Sequence, residues 1–311
     1  MTHTIFIDGE AGTTGLDVRR RLDGRADLRL IQLGERRKDP DARREALNLA
    51  DVVILCLPDE AAREAVEMIT DPRVKVIDAS TAFRTAPGWV YGFPELDQAQ
   101  REAIAFASRV SNPGCYPTGF LALARPLVRA GIIPADWPVT VNAVSGYSGG
   151  GKSMIAEFEE GQGAPPYRAY GLSLKHKHVP EMQMHAGLKR PPLFAPAVGA
   201  YRQGMLVEVP LQLSAFPSTP SVELVHGALV EAYAGQRFVE VADLEETEGL
   251  TGLSPEGLNE TNRLRLHVFG DRTGDQVRLV ALLDNLGKGA SGAAVQNLNI
   301  MLGLDEATGL A

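Results

Sequence analysis

Over the first eighty residues, short apolar runs alternate with stretches in which apolar positions recur at helical spacing. Thr4 to Asp8 is one β-rich run, Leu28 to Leu33 a second, Asp51 to Leu57 a third and Val74 to Asp78 a fourth. Between them Leu16 to Leu22, a charged segment through Leu47, and Glu60 to Ile69 carry the helical period. Strand and helix in alternation predict a parallel sheet with right-handed crossovers, the doubly wound nucleotide-binding architecture. Beyond about residue 116 the pattern changes. Val139 to Val144, Met205 to Leu213, Phe238 to Val241, Leu264 to Phe269 and Val277 to Leu283 are strand candidates, the last two flanking a hairpin turn at Gly270 to Gly274. Leu264, Leu266 and Val268 alternate with Arg263, Arg265 and His267, so one face is expected to be wet, as antiparallel sheets allow. Residues 285–302 look helical again, and Gly289, Ala290, Gly292, Ala293 and Ala294 would let that helix lie close to a sheet. The expected fold class is α/β. A Rossmann-like doubly wound parallel sheet takes residues 1–115 with 285–311, and an α+β domain with a mostly antiparallel sheet takes residues 116–284.

Composition narrows the class. The 311 residues carry 39 acidic and 31 basic side chains, a net charge of −8, which argues against non-specific nucleic-acid binding. No run approaches the roughly 20 apolar residues that span a bilayer. Met1-Thr2-His3 leads straight into Ile5 without a basic or long apolar region, so no signal peptide and a cytoplasmic location are expected. Two cysteines, Cys56 and Cys115, suit a reducing compartment.

Gly9, Gly12 and Gly15 follow the first strand and open the first helix, with Thr13 and Thr14 between the last two. Glycine allows the tight turn and lets backbone N–H groups approach a pyrophosphate at the positive helix end. The spacing departs from the usual dinucleotide fingerprint, so the strand-turn-helix setting carries the expectation of dinucleotide binding. At the end of the second strand stands Gly34-Glu35-Arg36-Arg37. An acid there takes the ribose 2′-hydroxyl of NAD, whereas arginines take the 2′-phosphate of NADP. Arg36 and Arg37 favour NADP(H). The competing view is a solvated charge run continuing through Lys38 and Arg43-Arg44.

Ser111 to Thr118 is the most specific segment. Pro113-Gly114 forces a turn, and Thr118 to Val128 has helical spacing, which places Cys115 at or just before a helix N-terminus. The dipole and free N–H groups there stabilise a thiolate and can hold an oxyanion. Cys56, inside an apolar run, is expected to be inert. A thiolate working with a nicotinamide points to acyl transfer onto sulfur followed by hydride delivery, with an aldehyde as product. Lys175 to Glu181 clusters two histidines before a helix that Pro180 can start. His178 is favoured over His176 as acid and base, and Glu181 could orient the imidazole. No metal is expected, because His178 and His185 lack a usual ligand spacing on one helix. Glycine-rich Ser145 to Lys152 follows a strand, as an anion-cradling loop should. Its Gly146 to Ser153 frame has Walker spacing but, on this reading, not the strand-helix context. Arg84, just past the fourth strand, is a candidate clamp for a phosphate or carboxylate.

Seven motifs, in order and spanning nearly the whole chain, carry a family resemblance. They are Gly9-x-x-Gly12-x-x-Gly15, Asp78-x-Ser80-x-x-Phe83-Arg84, Tyr91 to Leu96, Ser111 to Thr118, Ser145 to Gly150, His176 to Glu181 and Asp284 to Asn297. Together the chain resembles N-acetyl-γ-glutamyl-phosphate reductases of the shorter form and, more distantly, aspartate-semialdehyde dehydrogenases. The resemblance implies NADPH-dependent reduction of a small-molecule acyl phosphate to a semialdehyde with release of phosphate, in arginine biosynthesis, by a cytoplasmic homodimer or homotetramer in which residues 116–284 form the catalytic and dimerisation domain. It implies Cys115 as the acyl-forming nucleophile and the His176/His178 pair as the acid–base group. It also implies Arg84, Asn112, Ser145, Gly146, Ser148 and Gly149 at the substrate and Asn285 near the nicotinamide. The rival readings are a sister enzyme for an aminoadipyl or aspartyl phosphate, and a non-catalytic NADP-binding regulatory protein.

Overall fold

The computed structural model describes residues 2–161, 163–270 and 274–311, and of Arg37 and Lys38 only the backbone. Its contacts separate two units. One comprises Met1–Pro94, Gln98–Gly114 and Ala290–Ala311; the other comprises Glu95–Asp97 and Cys115–Gly289. Cys115 and Asn285, expected in the dinucleotide-binding part, therefore lie in the second unit.

The first unit runs β1 (His3–Asp8), α1 (Thr13–Leu22), β2 (Leu28–Ile31), α2 (Pro40–Leu49), β3 (Val52–Leu55), α3 (Asp59–Met68), β4 (Lys75–Asp78), β5 (Val90–Tyr91), α4 (Gln100–Phe106) and β6 (Arg109–Ser111). The strand order is β2-β1-β3-β4-β6-β5 and every pair is parallel. Both faces are covered, which explains why β3 is apolar throughout. Ile5, Val52, Ile54 and Ile77 pack with Val18, Leu22 and the C-terminal helix Gly292–Met301, while Phe6, Val53, Leu55 and Val76 pack with Ala46, Leu47, Ala62 and Ala65. That C-terminal helix is buried along its whole length. Its polar side chains are bonded inward, with Asn297 Nδ2 donating to Gly92 O at 2.8 Å.

The second unit continues with α5 (Cys115–Arg129), β7 (Thr140–Gly146), α6 (Gly151–Glu159), β8 (Tyr167–Ala169), α7 (Val179–Ala186), β9 (Leu193–Gly199), β10 (Met205–Gln212), α8 (Val222–Ala232), β11 (Val239–Val241), α9 (Leu244–Glu248), β12 (Leu264–Gly270) and β13 (Gln276–Leu283). Its sheet, ordered β11-β12-β13-β10-β7-β9-β8, is antiparallel at four of six pairings and parallel at β11/β12 and β7/β9. Helix α5 lies close on this sheet: a Cβ at Gly119 would meet Val207 Cγ2 at 2.8 Å. Strands β12 and β13 pair as expected, but residues 271–273 of the turn lie outside the described residues.

The wet face expected on β12 is only partly wet. His267 is 1% exposed, because α9 packs over β12 and Arg265 reaches across to Glu246. Burial depresses its imidazole below the ordinary histidine range, and its ring stacks on Phe269.

A buried ion pair also belongs to this unit. Lys288 Nζ lies 2.8 Å from both carboxylate oxygens of Glu95, with side-chain exposures of 1% and 0%. Arg125 on α5 donates to Leu96 O and Asp97, so the three residues Glu95–Asp97 are drawn out of the first unit's chain into the second. No helix among the described residues is long and apolar enough to cross a membrane.

Candidate functional site

The glycine turn between β1 and α1 is dictated by close approach. Gly9 has φ +88°, and a Cβ there would lie 2.4 Å from Cys56 O; one on Gly15 would lie 2.4 Å from Gly9 O. Gly12 caps α1 with no side chain, leaving the first-turn N–H groups facing the turn. Thr13 and Thr14 form that first turn, and the buried Thr13 Oγ1 has no hydrogen-bond partner. An orphan hydroxyl beside unhindered helix N–H groups fits a pyrophosphate.

Next to the turn is a cavity of about 360 Å³. Ile31, Leu33, Leu57 and Ala61 give it apolar walls, and Asp8 and Arg43 face it. Arg43 Nε donates to Asp8 Oδ2 at 2.8 Å, while burial pushes the Asp8 carboxyl up against that pairing. Arg36 is elsewhere. It sits exposed on a short 3-10 turn, with its guanidinium 3.2 Å from Asp39, and the Arg37 side chain lies outside the described residues. Among the described side chains, the arginine facing the cavity is therefore Arg43, which the sequence reading left in a solvated run. Asp39-Pro40, the cap and first residue of α2, was the available signal that Arg43 sits in a first helical turn.

Arg84 and Asn112 are anchored to the backbone of their own unit. Arg84, 8% exposed, donates through Nε to Asn112 O at 2.9 Å and through Nη2 to Ala79 O at 3.1 Å. Asn112 donates its side-chain amide to Ala290 O, accepts from Asn297 at Oδ1, and donates its backbone N–H to Asp78 O. Both residues thus brace the turn that leads to Gly114. Asp78 is fully buried beside them; burial raises its carboxyl to about 6, against the hydrogen bond it accepts from Ser80.

Cys115 is the first residue of α5, where the helix dipole acts most strongly on a thiol. Gly289 backs onto it, and a Cβ there would lie 2.9 Å from Cys115 Cβ. The Cys56 thiol is the opposite case, pushed up to about 12 by burial and by Asp78 and Asp8. The ring of Tyr116, the next residue, lies 6.3 Å from His176 and 6.0 Å from His178, and the two imidazoles are 4.8 Å apart. Tyr170, whose ring is 5.7 Å from His176, is a neighbour that the sequence reading missed, as was Tyr116. No spacing rule announces either one.

His178 caps α7 and is 7% exposed; Pro180 and Glu181 occupy the first turn as expected, with Glu181 1% exposed. His176 Nδ1 accepts from the His178 backbone N–H at 3.1 Å, which fixes the Nε2–H tautomer when the ring is neutral. Burial, helped by Lys177, lowers the His176 imidazole to about 4, so it is neutral at pH 7.

The glycine-rich loop does stand between a strand and a helix, β7 and α6, contrary to the sequence reading. It is still not a Walker loop. The N–H groups of Gly146, Tyr147 and Ser148 donate to Gly204 O, Tyr201 O and Arg202 O, and so are unavailable to wrap a polyphosphate. Ser145 Oγ bonds Gly146 O, and Ser148 Oγ accepts from Asn285 Nδ2 at 2.9 Å. A Cβ on Gly149 would crowd Ser145 Oγ at 3.3 Å. Asn285 holds this loop as well, its Oδ1 accepting from Gly204 N–H at 2.7 Å.

Comparison with known proteins follows the same division. Residues 35–105 match the model of the semialdehyde dehydrogenase NAD binding domain, and residues 115–285 that of the semialdehyde dehydrogenase dimerisation domain. The chain is 55% identical over 311 residues to N-acetyl-gamma-glutamyl-phosphate reductase 2 of Pseudomonas putida, covering 99% of each. It is 56% identical over 317 residues to the protein of that name from Nostoc sp., covering 98% of each. The chain belongs to the N-acetyl-γ-glutamyl-phosphate reductase family. Aspartate semialdehyde dehydrogenase II from Vibrio cholerae has a similar fold, with TM-score 0.67 at 17% identity over 97% of this chain and 99% of that one. The enzyme from Francisella tularensis gives 0.68 at 13% identity, over 97% and 100%. The chain thus shares a fold with enzymes of very different sequence. In the present reductase the first unit is the NAD-binding domain of that fold, and the second carries the cysteine and both histidines.

Proposed function

We propose that the chain reduces N-acetyl-γ-glutamyl phosphate to N-acetylglutamate semialdehyde and phosphate, with NADPH as reductant. The observation that carries this is Cys115 at the first residue of α5 with two histidine rings gathered around the adjacent Tyr116. The family supplies the substrate class, and its resemblance places the step in arginine biosynthesis.

The thiolate of Cys115 attacks the acyl carbon, the C–O bond to phosphate breaks, and a thioester forms. NADPH, when bound, supplies the hydride that reduces this thioester. The carbon–sulfur bond then breaks, the aldehyde leaves, and the sulfur regains its electron pair. His178, buried at the α7 cap, takes the thiol proton, and His176 offers its Nε2–H to the developing oxyanion. The Ser145–Gly150 loop holds the phosphate through the Ser145 and Ser148 hydroxyls. Gly9, Gly12, Thr13, Thr14 and Gly15 cradle the dinucleotide's pyrophosphate, and the cavity beside them takes its adenosine. The match to a dimerisation domain supports a homodimer or homotetramer.

Phosphate-dependent reduction of NADP⁺ by N-acetylglutamate semialdehyde tests the reaction in its easier direction. Aminoadipate and aspartate semialdehydes serve as competitors in the same assay. No phosphate requirement would end this reading. Arg43→Ala is expected to raise the KM for NADPH about tenfold, since it removes a charge-assisted donor from the adenosine cavity. Arg36→Ala should change it less than about twofold, because an exposed arginine paired with Asp39 contributes little. The reverse order of effects would return the 2′-phosphate contact to Arg36.

A further inference from the structure

Behind the Ser145–Gly150 loop runs the segment Tyr201–Gly204. The carbonyls of Tyr201, Arg202 and Gly204 accept from the N–H groups of Tyr147, Ser148 and Gly146. Gly204 N–H donates to Asn285, and Asn285 donates to Ser148 Oγ, which closes a circuit around the loop.

Gln203 sits inside that circuit and is 9% exposed. Its Nε2 donates to Asp284 Oδ2 at 2.6 Å and to Glu260 Oε1 at 3.2 Å, and its backbone carbonyl accepts from Asn259 Nδ2 at 3.1 Å. One neutral amide therefore stands between two carboxylates and bonds both. The turn that supplies these partners is held under strain. Glu260 has φ +64°, a left-handed conformation that disfavours any side chain with a Cβ, and its N–H is fixed on Asp284 Oδ2 at 2.9 Å. Gly204, at φ +101°, backs onto the same turn, where a Cβ would lie 2.2 Å from Pro255 O. Strain of this kind persists only where the surroundings over-determine it, and it gathers at sites whose geometry matters.

We propose that Gln203 is a positioning residue for anion binding by the Ser145–Gly150 loop. Anchored on Asp284 and Glu260, it fixes Tyr201–Gly204, and the carbonyls of that segment hold the loop that carries the Ser145 and Ser148 hydroxyls. An anion site made of hydroxyls loses affinity when those donors are misaimed by a fraction of an ångström. This rests on the reading that the loop takes the substrate's phosphate.

Gln203→Met keeps the side-chain volume and removes both donors. The KM for inorganic phosphate in the semialdehyde-oxidising direction is expected to rise about tenfold, with kcat within about threefold and NADPH affinity unchanged. The variant leaves the Asp284 and Glu260 carboxylates without the amide that bridges them. Gln203→Met/Glu260→Gln removes one of the two charges, keeps the backbone bonds that Asp284 accepts, and should recover the melting temperature while the raised KM persists. An unchanged KM in a folded Gln203→Met protein overturns the proposal. A KM that returns to the wild-type value together with the melting temperature in the double variant also overturns it, since Gln203 would then act through stability alone. A wild-type enzyme that needs no phosphate overturns the functional reading itself.

Discussion

Cys115→Ala is expected to bind NADPH as tightly as the wild type and to turn over at least about 10⁴-fold more slowly. The two halves of this expectation have separate structural sources. The proposed dinucleotide cradle is the Gly9–Gly15 turn with the cavity at Arg43, neither of which involves the thiol. The nucleophile is the first residue of α5, beside Tyr116 and its histidine neighbours. Cys56 cannot substitute, because a thiol pushed up to about 12 supplies almost no thiolate at neutral pH. Dinucleotide titration by fluorescence and steady-state turnover on the same preparation make the comparison. Retention of more than a tenth of the activity would mean that the sulfur is not the acyl carrier.

Lys288→Met should destabilise the fold by about 3–5 kcal/mol, because it strands a carboxylate that has no access to water. Glu95 has 0% side-chain exposure, and Lys288 Nζ contacts both of its oxygens. In a protein of this size the loss lowers the melting temperature on the order of 10 °C. Glu95→Gln/Lys288→Met removes both charges and should recover most of the loss, since a buried pair contributes much less than its breakage costs. Calorimetric scans of the three proteins decide it. A single variant as stable as the wild type would show that water reaches Glu95.

Much of the architecture is legible from periodicity. Four buried strands with helices between them, and long strands in the second unit, are recoverable from apolar spacing within a few residues. The strands Val90–Tyr91, Arg109–Ser111 and Tyr167–Ala169 are too short to show a period, and Leu193–Gly199 is interrupted by Pro196. His267 reads as a wet position because nothing in β12 announces that α9 will cover it.

For the candidate site, motifs name segments and coordinates supply the partners of individual atoms. Pro113-Gly114 and Pro180 mark the helix starts at Cys115 and after His178 in the sequence, whereas the meeting of both imidazoles with Tyr116 is tertiary. Arg84, Asn112 and Asn285 are motif residues whose hydrogen-bonding atoms turn out to be engaged by nearby backbone or by the glycine loop, and only coordinates reveal such partners. The roles proposed for Arg43 and Gln203 are invisible in sequence for the converse reason. Each residue is held by a neighbour distant along the chain, Asp8 in one case and Asp284 in the other.

The excursion of Glu95–Asp97 into the second unit has a practical meaning for anyone who would dissect this molecule. A recombinant fragment beginning at Cys115 and ending at Gly289 looks self-sufficient from its boundaries, yet it would enclose an ammonium ion whose counter-ion had been left in the discarded piece. The smallest autonomous portion of the second unit is therefore discontinuous, and joining Glu95–Asp97 to it through a short linker is the way to obtain it folded.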